Sequence, residues 1–408
     1  MKTIAVDQLI CGMYIVGVES QQSSPPVKLS GLVKQPQQIA LLKQKGVLTV
    51  RIDPARQQPV LASETVGETA DSPFNMAANI KPAQRKDRLK AVSLSQEIKQ
   101  AKNLYQEARQ LQKRAFNDIA RGNPINVEDF QRCADGIIDS LFRNQDALLC
   151  ISRMRDKDAY LLEHSVNVAI LMTIFARHLK CDDETIERLA TGALLHDIGK
   201  IQVPDAVLNK PGKLTDAEFI VMRKHVEFSR DILQQTEGIH AVTLDVAANH
   251  HERLDGRGYP QGLADAQISR HARMIAIVDT YDAITATRVY KDGQTSIKAL
   301  KILRKDSPSH FDTELVTQFI AAVGMYPPGT LVKLDNDKLA LVLENNPGKP
   351  ASPVVKVFYH AKQRHYLKPV TVDLAASNCK EKIETAVDPA EYKIDLQRFF
   401  KEFVLDAV

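Results

Sequence analysis

The chain has 408 residues, of which 44% are hydrophobic and 25% are charged, and its formal net charge at pH 7 is +4. This length predicts two or three domains with a large core, and the charge is too small to predict nucleic-acid binding by the whole chain. No apolar run approaches the ~20 residues of a membrane helix, and no signal peptide is recognised. The five cysteines are scattered without a Cys-x-x-Cys pair. We therefore expect a cytoplasmic protein.

Residues 1–62 mix short apolar stretches with turn residues, which predicts a small α/β or mostly β domain without a catalytic constellation. One helical stretch is predicted within it, over Pro36–Lys45. The run Leu9–Ile10–Cys11–Gly12–Met13–Tyr14–Ile15 resembles the N-terminal domain family DUF3391, which often precedes a phosphodiesterase domain. The resemblance implies an accessory or sensory role. Residues 63–85, rich in Pro, Gln, Ser, Ala and Thr without periodicity, are predicted to form a linker.

Residues 86–122 are predicted to form one long basic helix. Alternating spacings of three and four residues produce a heptad seam with a single polar interruption. The seam consists of Ala91, Leu94, Ile98, Ala101, Tyr105, Ala108, Gln112, Ala115 and Ile119. Residues 81–121 carry 11 Lys and Arg against 4 Asp and Glu. Two interpretations stay open. In the first, the helix is a surface that binds a second copy of the chain or an anionic partner, so a homodimer through residues 86–121 is a candidate. In the second, the helix packs on its own domain.

Residues 123–325 have an almost entirely helical pattern, and its centre is the run from Leu194 to Lys200. The apolar positions that begin at Ile186 follow helical spacing, and Asp197 falls on the same buried face. An unpaired carboxylate there would cost several kcal/mol, so a cation must meet it. His196 points about 100° away around the helix, and a metal ion between the two directions could bind both.

Further candidate ligands recur at intervals of about one helix or helical hairpin, as in bundles that project ligands into one cavity. They are His164, His225, His250, His251 and Asp279, in addition to His196 and Asp197. Five imidazoles and two carboxylates exceed the needs of one ion, and a set without sulfur suits iron or manganese. The sequence therefore predicts two divalent ions that share Asp197, with Lys200 placed to bind a phosphate oxygen. Asp282, one turn after Asp279, is a candidate supporting acid or a hydrogen-bond partner within its helix.

The chain from about 150 to 325 resembles the HD-GYP phosphodiesterases, bacterial enzymes that hydrolyse cyclic dinucleotides. The matching motifs occur in the order found in that family. They are His164–Ser165–Val166–Asn167–Val168, His196–Asp197–Ile198–Gly199–Lys200, Leu208–Asn209–Lys210–Pro211–Gly212–Lys213–Leu214–Thr215, the His250–His251–Glu252 to Gly258–Tyr259–Pro260 run, and Val278–Asp279–Thr280–Tyr281–Asp282–Ala283.

This resemblance implies that all seven candidate ligands bind metal and that Lys200 contacts the scissile phosphate. It also implies that Arg288 and Lys291 hold the nucleotide phosphates, and that diguanylate-cyclase-type proteins are candidate partners. Some members of the family bind a third metal through a Glu one turn before the first His. That position is Tyr160 here, so we expect a dinuclear site. Ser229 replaces a Gly that many relatives carry, and it lies outside the ligand set.

Residues 326–408 show short apolar stretches separated by turns, which predicts a small β-rich extension with a closing helix. The expected fold class is therefore mainly α. It comprises an all-helical HD-type metal phosphohydrolase bundle, a small α/β or β N-terminal domain, and this extension.

The main functional hypothesis is a metal-dependent phosphodiesterase acting on cyclic di-GMP or on 3′,3′-cyclic GMP-AMP, between which the sequence does not choose. One alternative is a cyclic-dinucleotide receptor that signals through protein partners, as relatives lacking ligands do. The complete ligand set weighs against it. Another alternative is an HD-type nucleotidase acting on mononucleotides, against which the His250–His251 pair and the Gly-Tyr-Pro loop argue.

Overall fold

In a computed structural model the chain forms two units, Met1–Asp71 and Ser72–Val408. The structure describes residues 2–9, 13–21, 31–33, 39, 42–43, 46–56, 91–154, 160–286, 293–346 and 348–405. Within these ranges no helix is long and apolar enough to span a membrane. The predicted linker 63–85, and both Arg288 and Lys291, lie outside the described residues.

The N-terminal unit is built on a four-stranded antiparallel sheet. Its strands are β1 (Lys2–Ala5), β2 (Tyr14–Gln21), β3 (Gly31–Leu32) and β4 (Val47–Ile52), and their order is β1-β4-β2-β3. Ile15, Val50 and Ile52 are buried in a small apolar core of this unit. Of the helix predicted over residues 36–45, only residues 39 and 42–43 are described, and they are helical.

The long helix predicted from the heptad seam is α1 (Leu94–Ala120). It begins at a capping box in which Ser93 and Gln96 exchange side-chain and backbone hydrogen bonds. From Leu94 to Ala115 the seam is buried within the chain's own fold, with Ile98, Ala101 and Ala108 fully enclosed, while Ala91 lies exposed ahead of the helix. The structure therefore favours packing on its own domain, because a homodimer through this helix would have to use its other faces.

The described residues from 121 to 325 form ten further helices. They are α2 (Val127–Arg143), α3 (Gln145–Arg153), α4 (Tyr160–His178), α5 (Asp183–Leu195), α6 (Asp205–Leu208), α7 (Asp216–Gln234), α8 (Ala241–Asn249), α9 (Arg270–Thr285), α10 (Ser296–Asp306) and α11 (Thr313–Val323). Several begin at a side chain that accepts a hydrogen bond from the first turn, as Asp182 does for α5 and Thr215 for α7. A short 3₁₀ helix, Ile198–Gln202, follows α5.

The C-terminal residues form a five-stranded antiparallel sheet with order β8-β7-β6-β5-β9. Its strands are β5 (Leu331–Leu334), β6 (Lys338–Glu344), β7 (Val354–His360), β8 (His365–Asp373) and β9 (Ile383–Ala386), and α12 (Leu396–Phe400) follows them. Leu341 and Phe358 join the core of the helices, while Val332 and Val342 belong to a separate cluster. The expected fold class, mainly helical with small β-rich ends, is confirmed.

Candidate metal centre

The seven candidate ligands come from five helical segments that meet in the interior. His164 lies in the first half of α4, and Asp279 lies in α9. His225 lies in the middle of α7. The remaining four directly follow the last residues of two helices, where the chain turns. They are His196 and Asp197 after α5, and His250 and His251 after α8. All seven are buried except His251, whose side chain is 28% exposed.

The ligand atoms form two groups, and a third group, of His196, Asp197 and His250, overlaps both. One atom each from His164, His196 and Asp279 lie within 4.8 Å of one another, and the same holds for His225, His250 and His251. Asp197 faces both groups: its Oδ2 lies 3.3 Å from His196 Nε2, and its Oδ1 lies 3.3 Å from His225 Nε2.

Three of the histidines are held in one tautomer by the backbone. The Nδ1 atoms of His196, His225 and His250 each lie within hydrogen-bond distance of the carbonyl oxygen three residues earlier. Those acceptors are Ala193, Met222 and Ala247, at 2.7, 2.6 and 2.8 Å. A carbonyl can only accept, so each Nδ1 carries the proton and donates, and each Nε2 keeps its lone pair.

These lone pairs point towards an ionised carboxylate, which is unfavourable unless a cation lies between them. Among the described residues, no hydrogen-bond partner is found for Asp197 Oδ1 or for the Nε2 atoms of His196, His225 and His250. Orphaned polar atoms are uncommon in buried positions, and here four of them converge. A nitrogen and oxygen donor set of this kind fits divalent metal ions.

His164 is oriented by a second carboxylate. Its Nδ1 lies 2.8 Å from Asp282 Oδ2, and its Nε2 lies 2.9 Å from Asp279 Oδ1. Burial opposes the charged form, but hydrogen bonds to the two carboxylates raise the pKa of His164 to about 9. Asp282 thus directs the Nε2 of His164 towards the site, in the position that the sequence suggested for a supporting acid.

Lys200 lies beside the central carboxylate. Its ammonium group contacts Asp197 Oδ2, one turn earlier in the chain. Burial would raise the pKa of Asp197, but Lys200 and His196 hold it well below its usual value. Asp197 is therefore ionised, and the lysine charge lies at the edge of the site.

The turn that carries Asp197 is packed directly on α7. A Cβ atom at Gly199 would lie 2.2 Å from the carbonyl oxygen of His225, so only glycine fits there. The Gly199 amide donates to Ser229 Oγ at 2.9 Å, and Ser229 is completely buried. Ser229 therefore links two ligand-bearing segments, a role that its position outside the ligand set did not indicate.

The loop after His251 folds back over the site. Glu252 is buried, and its two oxygens accept from the amides of Gln261 and Leu263 at 2.7 and 2.9 Å. The amide of Tyr259 donates to the carbonyl of His251, and the two rings lie 4.7 Å apart. The sequence places Glu252 in a motif but does not by itself indicate its role. Its position between the ligand pair and a glycine-rich loop is the feature that could have indicated it.

Helix α1 touches both segments that begin the ligand set. Gln112, the polar interruption of the seam, donates from Nε2 to the carbonyl of Leu194 at 2.6 Å. The Tyr105 hydroxyl donates to Asn167 on α4 at 2.9 Å. The seam thus meets the metal centre as well as the core. Periodicity alone did not reveal this contact, although a glutamine in an otherwise apolar seam indicates that a buried hydrogen-bond partner is present.

Three models of known families match the chain. The model of the HD domain matches residues 149–315, and that of the domain of unknown function DUF3391 matches residues 1–130. The model of a KOW domain associated with HD domains matches residues 331–395, which include all five strands of the C-terminal sheet. The predicted DUF3391 resemblance is confirmed, and its match extends through α1.

The chain is also similar to curated proteins. A cyclic di-GMP phosphodiesterase from Pseudomonas aeruginosa is 36% identical over 393 residues, covering 96% of this chain and 93% of that protein. A cyclic di-GMP phosphodiesterase response regulator from Xanthomonas campestris is 31% identical, over 65% of this chain and 68% of that protein. A 3′3′-cGAMP-specific phosphodiesterase from Vibrio cholerae is 38% identical, over 39% of this chain and 37% of that protein. The chain therefore belongs to the HD-GYP family and carries a DUF3391 domain ahead of its HD domain.

Proposed function

We propose that this chain hydrolyses a phosphodiester bond of a cyclic dinucleotide at a centre of two divalent metal ions. The observation that carries the proposal is the convergence of unpartnered Nε2 lone pairs on the ionised Asp197, between two groups of ligand atoms. The relatives named above are phosphodiesterases for cyclic di-GMP or 3′3′-cGAMP, which supports the same substrate class here.

The two groups of ligand atoms support a proposed division of the ligands between two ions. His164, His196 and Asp279 would hold one ion, and His225, His250 and His251 would hold the other. Asp197 would bridge them, because each of its oxygens faces a different group. The absence of sulfur from this donor set favours iron or manganese.

The residues of the chain have distinct tasks in this proposal. Divalent ions bound here would polarise the phosphoryl oxygens and lower the pKa of water. The backbone carbonyls and Asp282 keep the imidazoles in the orientation that binding requires. Lys200 places a positive charge where negative charge develops on the phosphate. Arg288 and Lys291, assigned by family resemblance, would hold the nucleotide phosphates.

The first experiment is anaerobic purification, metal quantification, and hydrolysis assays on cyclic di-GMP and 3′,3′-cyclic GMP-AMP side by side. We expect about two iron or manganese ions per chain and turnover of at least one substrate. Two metals with tight binding but no cleavage would identify a receptor instead of an enzyme. No metal and no activity would mean that the ligand set is only structural.

Asp197→Ala tests the assignment of the bridging ligand. Removal of the carboxylate takes away the anionic ligand that faces both groups and its negative charge, which would offset the charge of the two ions, so metal retention and turnover should both be lost. Asp231→Ala is the matched control, because Asp231 is an exposed aspartate on α7 that pairs only with its neighbour Arg230 in the described structure. Hydrolysis by the Asp197→Ala variant at the wild-type rate would contradict the proposed site.

A further inference from the structure

An aromatic and basic cluster lies at the rim of the metal centre. Phe219 and Arg223 are one turn apart in the first half of α7, and both approach Tyr259. The Arg223 guanidinium carbon lies 4.4 Å from the centre of the Tyr259 ring. The Phe219 ring meets the Tyr259 ring edge-on at 6.3 Å. Tyr259 in turn packs against His251, so this cluster adjoins the ligand set.

The cluster presents binding groups that the protein itself leaves unused. The side chain of Phe219 is 47% exposed and Ile220 is 61% exposed, which is unusual for large apolar residues beside a buried polar site. Within the described residues, no ion pair or hydrogen bond is found for the Arg223 side chain. A guanidinium that lies on an aromatic ring keeps its N–H donors in its own plane, free to meet a planar acceptor edge.

We propose that Arg223 and Phe219 form a guanine-recognition subsite for the cyclic dinucleotide, an inference that rests on the proposed function. Guanine presents two acceptors, O6 and N7, on one edge, and a guanidinium binds both with two parallel hydrogen bonds. Adenine presents an N6 amino donor in place of O6, so its edge opposes the donors of Arg223. The exposed ring of Phe219 supplies a face on which the base stacks.

The location of the cluster suits a base attached to the reacting phosphate. Tyr259 contacts both Arg223 and His251, so the guanidinium and the ligand set share one aromatic neighbour. A nucleotide carries its phosphorus and the far edge of its base at opposite ends, so one ligand could reach both the ligand set and this cluster. The subsite therefore selects for dinucleotides that contain guanine, and it does not distinguish cyclic di-GMP from 3′,3′-cyclic GMP-AMP by itself.

The test compares cyclic di-GMP with cyclic di-AMP on the full-length, metal-loaded protein. The readouts are kcat/KM and the Kd from calorimetry for each ligand, on wild type, Arg223→Gln, Arg223→Lys and Phe219→Ala. Arg223→Gln and Arg223→Lys should each lower the preference for the guanine ligand about tenfold or more, because neither side chain reproduces the two parallel donors. Phe219→Ala should weaken both ligands to a similar degree, since stacking tolerates any base.

Arg230→Gln is the matched control, because Arg230 lies on the same helix and pairs with Asp231 at the surface. This variant should leave kcat/KM and Kd unchanged for both ligands. A phosphate contact by Arg223 would give a different result: both ligands would weaken equally and Arg223→Lys would be tolerated. Either that result or an unchanged preference would overturn the proposal.

Failure of the proposed function is distinguishable from failure of the subsite. If the wild type binds cyclic di-GMP without cleaving any cyclic dinucleotide, the proposed function fails, and the ratio of the Kd values still decides the role of Arg223. If the wild type binds neither ligand, the subsite is refuted together with the substrate class. Metal content of each variant equal to that of the wild type verifies that the centre is intact.

Discussion

Single residues of the site are oriented by partners that the local chain supplies. His196, His225 and His250 each donate Nδ1–H to the carbonyl three residues earlier. This bond lies within one helical turn, so the orientation of each ring is set largely by its own helix. His164 differs, since its Nδ1 partner, Asp282, comes from α9. Its orientation therefore depends on tertiary packing and is the more sensitive to substitution.

Asp282→Ala should lower the affinity of the site for metal by about 10–100-fold. The change removes the carboxylate that accepts from the Nδ1 of His164, so the ring can turn away from the group that contains Asp279. Asp282→Asn should have a smaller effect, because its amide oxygen can still accept. Competition with a chelator of known affinity measures the metal dissociation constants.

The matched control for this prediction is Thr285→Ala. Thr285 lies one turn further along α9, and its hydroxyl donates to the backbone carbonyls of Tyr281 and Asp282 in the same helix. Its loss should leave metal affinity unchanged. If Asp282→Ala bound metal as tightly as the wild type, the orientation of His164 would have to come from elsewhere in the fold.

At the scale of elements, one buried acid holds the loop over the metal centre. Glu252 accepts from the amides of Gln261 and Leu263, and these two bonds close the loop that presents Tyr259. A Cβ atom at Gly258 would lie 2.4 Å from the amide nitrogen of Arg253, so the loop also requires glycine at this contact. These contacts therefore fix the conformation of the loop beside the metal centre.

Glu252→Gln should loosen this loop while leaving the metal content unchanged. The amide of glutamine has one accepting oxygen, so one backbone N–H would face an NH₂ donor, at a cost of about 1–3 kcal/mol. We expect faster hydrogen exchange at the amides of Gln261 and Leu263 and a lower kcat/KM. The control is Asp255→Asn, which removes a surface ion pair with Arg253 and should change little. Unchanged exchange at both amides would contradict the prediction.

The helical pattern of the sequence was enough to predict most of the elements and the candidate ligands. Asp197, which the sequence placed on an apolar helix face, and His164, on the inward stripe of α4, are both buried as expected, although α5 ends at Leu195, before Asp197. Periodicity could not choose a partner for the α1 seam, because an alanine-rich seam packs equally well on a second copy or on its own domain. Contacts between distant segments, such as Gln112 with Leu194, have no local pattern and needed the structure.

At the scale of the whole molecule, the C-terminal sheet is part of the helical unit. Leu341 and Phe358 share one apolar core with the helices, and residues 72–408 form one compact unit. The sheet is joined to α3 by polar contacts as well. The backbone amide of Asn345, just after β6, donates to Asp146 at 3.1 Å. The KOW-like sheet therefore packs against the bundle that carries the site.

Asp146 should make the stability of this junction depend on pH. Burial raises its pKa from 3.8 to about 6; nearby Glu344 raises it too, and the hydrogen bonds from Asn345 only partly oppose the shift. Between these two values the folded state keeps a proton that the unfolded state has lost. Stability therefore falls as the pH rises through this window, by roughly 3 kcal/mol, and is level above it.

Asp146→Asn isolates this contribution, because asparagine cannot ionise and its amide oxygen can still accept from the amide of Asn345. Relative to the wild type, the variant should gain stability steadily between about pH 4 and pH 6, and the gain should then remain constant. Thermal unfolding of both proteins across this range measures the difference, and the pH dependence of the metal centre cancels because both share it. A difference that is the same at pH 4 and pH 7 would show that Asp146 is ionised in the folded protein throughout.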